Sequence, residues 1–158
     1  MTKVNIKGLN KLNKKLDKLK DLGIKRVIED ATARVRDEAR KNAPVDTGAL
    51  AQSIRYRSEK KNKSNYRGIV YTNNEYSSYV EFGTGPVGQA NHQGISPEVK
   101  PRYSPKGWKY FDEKQEKWIY TKGQKAQPFM YPALKDNEKK IKKFISRELK
   151  KEIKGVIK

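Results

Sequence analysis

The chain has no cysteine. That excludes disulfides, thiol nucleophiles and cysteine-ligated metal sites together. It has one histidine, His92, set in "GPVGQANHQGIS". A Ser/His/Asp triad would have to use it, and a histidine-based metal site would need several such ligands. The ordinary reading of a lone histidine in a glycine-rich loop is a solvated loop residue. Long apolar runs are also missing, so no membrane-spanning helix is expected. The basic N-terminus lacks the apolar core of a signal peptide, and the chain is expected to be made, and used or assembled, in the cytoplasm. Apolar residues make up only 34%. The core must be thin, and other copies of the chain are expected to complete some of its apolar stripes.

Acidic residues are scarce too, 18 against 37 Lys and Arg, for a formal net charge of +19 in 158 residues. Such an excess points to an anionic neighbour, nucleic acid or acidic protein, and says nothing of fold. The carboxylates are scattered, whereas glycoside hydrolysis needs a fixed pair. Only Asp46 and Glu81 are flanked by stiff, glycine-punctuated sequence. The expectation is structural for both: Asp46 forms a turn, and Glu81 pairs with a Lys or Arg, from its own chain or from an adjacent copy. "GTGPVG" lacks the spacing of a phosphate loop, and Pro86 stands where a dinucleotide-binding helix should open. No cofactor, no metal and no enzymatic activity are expected.

What the chain does have is amphipathic helix. Leu9, Leu12, Leu16, Leu19 and Leu22 recur at steps of three and four, a stripe that packs either on its own domain or between subunits. Ile24, Val27, Ile28, Ala31, Val35 and Ala39 line a second helix that stops near Asn42, ahead of Pro44. "APVDTGAL" is a tight turn, with Gly48 free to take a positive φ. "LAQSIRYRS" and "YRGIVYT" alternate as two strands around the basic tip "SEKKNKSN". Residues 75–82 read as a short helix capped by Asn73 or Asn74 and stopped by Gly83, with Tyr76, Tyr79, Val80 and Phe82 inward. A long Gly/Pro/Ser/Asn loop over 83–107 follows. "GWKYFDEKQEKWIYTKG" is a hairpin, and one closing helix runs from Pro132 to the end. The fold class is α+β, a single domain over 1–158 with a small antiparallel sheet, N-terminal helices (1–42), a central region of strands and loop (43–128) and a long C-terminal helix (129–158).

The positive charge is spread over at least three elements. On the first hairpin Arg55, Arg57, Lys60, Lys61, Lys63 and Arg67 gather on a projecting loop. Such a loop could track phosphates without reading sequence. It has no stacking aromatics at its tip, which argues against single-strand recognition.

Three segments stand in order: "APVDTGALAQSI", "YVEFGTG" and "AQPFMYPAL". Together they resemble the "gene product ten"-like tail-component and neck family of long-tailed phages, beside which minor tail protein Z of phage lambda is placed. The matching positions are Pro44, Asp46, Thr47, Gly48, Leu50, Ser53 and Ile54; Tyr76, Glu81, Phe82, Gly83 and Thr84; and Pro128, Met130, Pro132 and Ala133. Tyr79, Phe129 and their neighbours in these motifs are candidate subunit contacts. The insert from Pro86 to about Lys125, which holds both tryptophans, departs from the family pattern. The resemblance implies a virion structural protein: a ring at the head–tail interface, with six copies favoured. Its partners would be copies of itself, head-completion or connector proteins, and tail terminator or tail tube proteins. Contact with passing phage DNA would be weak and non-specific, and no membrane is involved. The alternative reading is a sequence-independent nucleic-acid-binding protein that acts alone.

Overall fold

The computed structural model describes Lys14, Asp17 and residues 23–45, 48–62, 65–113 and 115–157, with side chains described up to residue 155. The leucine stripe over 9–22 lies outside the described residues. The architecture is α+β, as expected. In chain order come α1 (Ile24–Asn42), α2 (Ala49–Ser53), β1 (Ile54–Lys60), β2 (Tyr66–Thr72), α3 (Ser77–Phe82), α4 (Gly85–Ala90), β3 (Trp108–Asp112), β4 (Lys117–Thr121), α5 (Met130–Lys135) and α6 (Glu138–Ile157). The strands make two separate two-stranded sheets, β1–β2 and β3–β4, rather than one sheet. The second is antiparallel, pairing Trp108 with Thr121 and Phe111 with Trp118.

The chain resolves into two compact units. The first is made of Met1–Arg34, Tyr56–Ile69 and Glu138–Lys158; the second of Val35–Arg55 and Val70–Asn137. The boundary falls inside α1 and inside the first hairpin.

Helix α1 forms where the sequence predicts. Val27, Ala31, Val35 and Ala39 recur every fourth residue, and all four are buried, as is Ala43 beyond the helix end. Arg40 and Lys41 occupy the last turn, where cations favour the exposed carbonyls. In the first unit α1 meets β2 closely: a Cβ on Gly68 would overlap Thr32 Oγ1. The Thr32 hydroxyl donates back to the Ile28 carbonyl at 2.6 Å, so it cannot easily turn away. On α6 Phe144 packs under the Arg34 guanidinium, 4.1 Å from ring centroid to Cζ.

The second unit holds most of the core: Val35, Ala39, Ala43, Leu50, Ile54, Phe129 and Ala133. Phe129 and Ile54 are its only large fully buried side chains among the described residues. The expected strand from Leu50 does not begin there. Residues 49–53 form a helical turn opened by Gly48 at φ 76°, with Gln52 N–H donating to the Gly48 carbonyl at 3.0 Å. A strand would have put Leu50, Gln52 and Ile54 on one face; the turn buries Leu50 and Ile54, four apart, and leaves Gln52 in solvent. Ser53 closes the turn by donating to Leu50 O at 2.7 Å.

Two other expectations are corrected. The loop over 83–107 contains α4, whose first turn carries Pro86. Proline is well placed there, because the first helical N–H groups need no partner inside the helix. The closing helix is two helices, broken at Asp136–Asn137. The Asn137 amide donates to the Ala133 carbonyl at 3.1 Å, a side-chain bond that competes with the continuing helix.

Replacing Gly68 by Ala is expected to destabilise the chain by about 1–3 kcal/mol, because Thr32 has no room to give. Gly155→Ala on α6, where a Cβ meets nothing within 4 Å, is expected to stabilise by up to about 1 kcal/mol. Urea midpoints of the two variants should move in opposite directions.

Candidate functional site

The "YVEFGTG" segment ends α3 and is tied to the third motif through its glutamate. Glu81 is only 5% exposed. Its Oε2 accepts the Phe129 and Met130 N–H groups at 2.7 and 2.9 Å, and its Oε1 accepts that of Tyr131 at 3.1 Å. These are orphan donors at the start of α5, a helix whose N-cap, Phe129, offers no side-chain acceptor. A carboxylate is well suited to that place, since the N–H groups carry the positive end of the peptide dipoles. The expected Lys or Arg partner is therefore replaced by main-chain amides of the same chain.

The glycines that follow let two stretches of backbone touch. Gly83 ends α3 at φ 74°. A Cβ there would lie 2.7 Å from Ala126 N and 2.8 Å from Gln124 O, so a side chain is excluded on both counts. Thr84 N–H donates to Gln124 O at 2.9 Å, and Gln124 N–H returns to Thr84 Oγ1 at 3.1 Å. Gln127 N–H reaches the Val80 carbonyl at 2.8 Å, and Val87 N–H reaches Lys122 O at 3.2 Å. The second motif is thus zipped along residues 122–131.

The first motif joins through a small cavity of about 250 Å³, which Pro44, Gly48 and Leu50 line together with Tyr76, Val80 and Gln124. Asp46 and Thr47 lie outside the described residues. Pro128 leads into Phe129, which is fully buried, and Pro132 sits in the first turn of α5. All three quoted segments accordingly meet inside the second unit, making contacts within one chain. Phe82 is half-buried, and its carbonyl accepts the Tyr103 hydroxyl at 2.8 Å.

Tyr76 and Tyr79 do not face inward: they are 44% and 57% exposed. Nor does Asn73 or Asn74 cap α3. Tyr76 holds that position, and Asn74 Oδ1 instead accepts the Tyr76 N–H at 3.1 Å in a turn of its own. The two tyrosines, with Tyr103, Trp108 and Tyr110, line a groove of about 940 Å³ whose one charged lining residue among the described residues is Arg102. Sequence reasoning passed over Tyr103, Gln124 and Gln127. The one signal for them was Gly123, whose φ of 94° marks the turn that brings residues 122–127 against Thr84.

The candidate DNA-facing residues divide between the units. Arg55 belongs to the second, and Arg57, Lys60, Lys61 and Arg67 to the first; Lys63 lies outside the described residues. All five described cations are exposed. Arg67 approaches Glu59 at 3.9 Å, and Lys60 stands over the Tyr66 ring at 5.6 Å. His92 is exposed, donates from Nδ1 to the Gln89 carbonyl at 2.6 Å and stacks on Tyr103 at 5.8 Å. Among the described residues no group of three or more His, Cys, Asp or Glu could hold a metal ion.

A family model described as "Bacteriophage HK97-gp10, putative tail-component" matches residues 6–83. Over that span, just under half of the chain, the sequence is similar to the HK97-gp10-like family. The match takes in α1, the first hairpin and the Glu81 segment, and ends at Gly83, so Tyr103, Trp108 and Tyr110 of the groove and the β3–β4 hairpin lie beyond it. No curated protein and no solved structure matches the chain.

Glu81→Ala would strand three donors at the start of α5. It is expected to cost about 3 kcal/mol or more in the isolated chain, and Glu81→Gln, which keeps one acceptor oxygen, roughly half that. Equilibrium unfolding in urea measures both; a wild-type midpoint for Glu81→Ala would refute the capping role. A second expectation concerns alkaline pH. Burial raises the Tyr103 hydroxyl above its ordinary value of 10.0. The folded state therefore holds that proton more tightly than the unfolded state. Its contribution is full below pH 10 and is lost as pH rises through the raised value. As pH rises above about 10, wild type should lose more stability than Tyr103→Phe.

Proposed function

We propose that the chain is a virion structural protein of a long-tailed phage that works at the neck or tail end as a subunit of a ring at the head–tail interface. The observation that carries this reading is the tail-component family match over residues 6–83. Two features of the chain agree with it. The core is thin while large apolar side chains stand in solvent, among them Val45 at 84% and Trp118 at 69% exposed, as in subunits that complete their packing in an assembly. The +19 charge suits a channel wall that DNA passes without being read.

In this reading the mechanism is association, not catalysis. Apolar side chains supply affinity and charge sets register. Neighbouring copies form the ring, six by the family's pattern, and connector or tail proteins bind its two faces. Assembly takes place in the host cytoplasm. No helix of the described residues is long and apolar enough to cross a membrane.

Mass by light scattering, at low and moderate salt and with and without duplex DNA, tests the proposal. A discrete ring is expected, from the chain alone or on addition of the phage's connector or tail proteins. A monomer that ignores those proteins and coats duplex DNA with a steep salt dependence would replace it with the nucleic-acid reading.

A further inference from the structure

We propose that the aromatic groove of the second unit binds an extended acidic segment of a partner protein. Apolar and proline side chains of that segment would lie against the rings, and its carboxylates would meet Arg102 and the flanking lysines. The groove is concave and about 940 Å³ in volume, the size of a site that encloses a ligand rather than a flat contact. Five aromatic rings line it, and four of them, Tyr76, Tyr79, Trp108 and Tyr110, remain 40–57% exposed, unmet by their own chain. Aromatic-lined grooves of this kind take extended, proline-bearing chain, whose preformed conformation loses little entropy on docking.

Charge selects the sign of the occupant. Among the described residues no carboxylate lines the groove, and Arg102 is its one charged side chain. The adjoining segments 100–106 and 122–125 carry five Lys or Arg and no acid. A second copy of this +19 chain would bring like charge to that rim, which disfavours it. Nucleic acid fits less well, because a site that tracks phosphates needs a row of cations, and here five rings accompany one.

The walls are preformed. The Tyr103 ring is held by its bond to the Phe82 carbonyl and by its stacking on His92. The glycine segment that also lines the groove is zipped to Gln124. A groove already in shape does not spend binding energy on ordering itself. This inference stands on the groove alone: a chain that forms no ring can still bind, and a ring can leave the groove empty.

The test uses the full chain carrying Trp118→Phe, so that Trp108, the other of two tryptophans, reports on the groove by fluorescence. The probes are a set of short Pro/Glu-rich peptides, the same set with every Glu replaced by Gln, and oligo(dT). Acidic peptides are expected to shift Trp108 emission, and the Gln set to bind at least about tenfold more weakly. Tyr79→Ala and Arg102→Glu are each expected to weaken binding about tenfold or more. Both side chains are exposed, so melting curves should not move. Equal binding of the Gln set would overturn the proposal, as would tighter binding of oligo(dT) or the absence of any shift. A concentration-dependent shift without peptide would also overturn it, by giving the groove to a second copy.

Discussion

The Glu81 carboxylate, held by three main-chain N–H groups, decides much of what surrounds it. Burying a charge in a chain this poor in apolar residues is costly unless every lone pair finds a donor. The start of α5 supplies three at once, because a helix leaves its first N–H groups without partners. The bond joins residues about fifty apart in sequence, and it ties α3 to the main chain of Phe129, the largest fully buried side chain among the described residues. Once α3 and α5 are fixed in this way, the intervening strands of main chain at 83–88 and 122–127 can lie flat on each other. Glycine is required there for the same reason: backbone is already within contact distance.

The arrangement also explains why so basic a chain keeps a glutamate here. A Lys or Arg in the same place would need its own desolvation compensated, whereas backbone amides are present in any fold. The negative charge is buried, and both its oxygens are taken by main-chain donors of the same chain. The large apolar side chains that stand in solvent, Val45 and Trp118 among them, lie outside the clamp.

The family match and the clamp overlap only in part. The matched span ends at Gly83, within the first half of the clamp. Its second half, Lys122–Tyr131, lies after the β3–β4 hairpin, so the chain leaving that hairpin is bonded to Thr84 and Val87, while Tyr103 ahead of it bonds to the Phe82 carbonyl. Such anchoring lets an inserted hairpin present aromatic side chains rigidly at little cost in order, and the groove beside it is the result.

By itself the sequence determined the elements whose signal is local. Four-residue spacing specified α1 to its end before Pro44, alternation with turn residues specified the two hairpins, and Gly48 and Gly83 took the positive φ their settings demand. The motif order likewise led to the family. What only tertiary structure decided was the partnership of residues distant in the chain. Leu50 and Ile54 fit a helical turn or a strand equally until burial excluded Gln52. Tyr76 and Tyr79 share a helical face with Val80 on paper, yet line an open groove. Glu81 was legible as a fixed charge but not as a cap, because its donors are backbone groups. Main-chain N–H groups are the same at every residue, so no side-chain pattern can announce them.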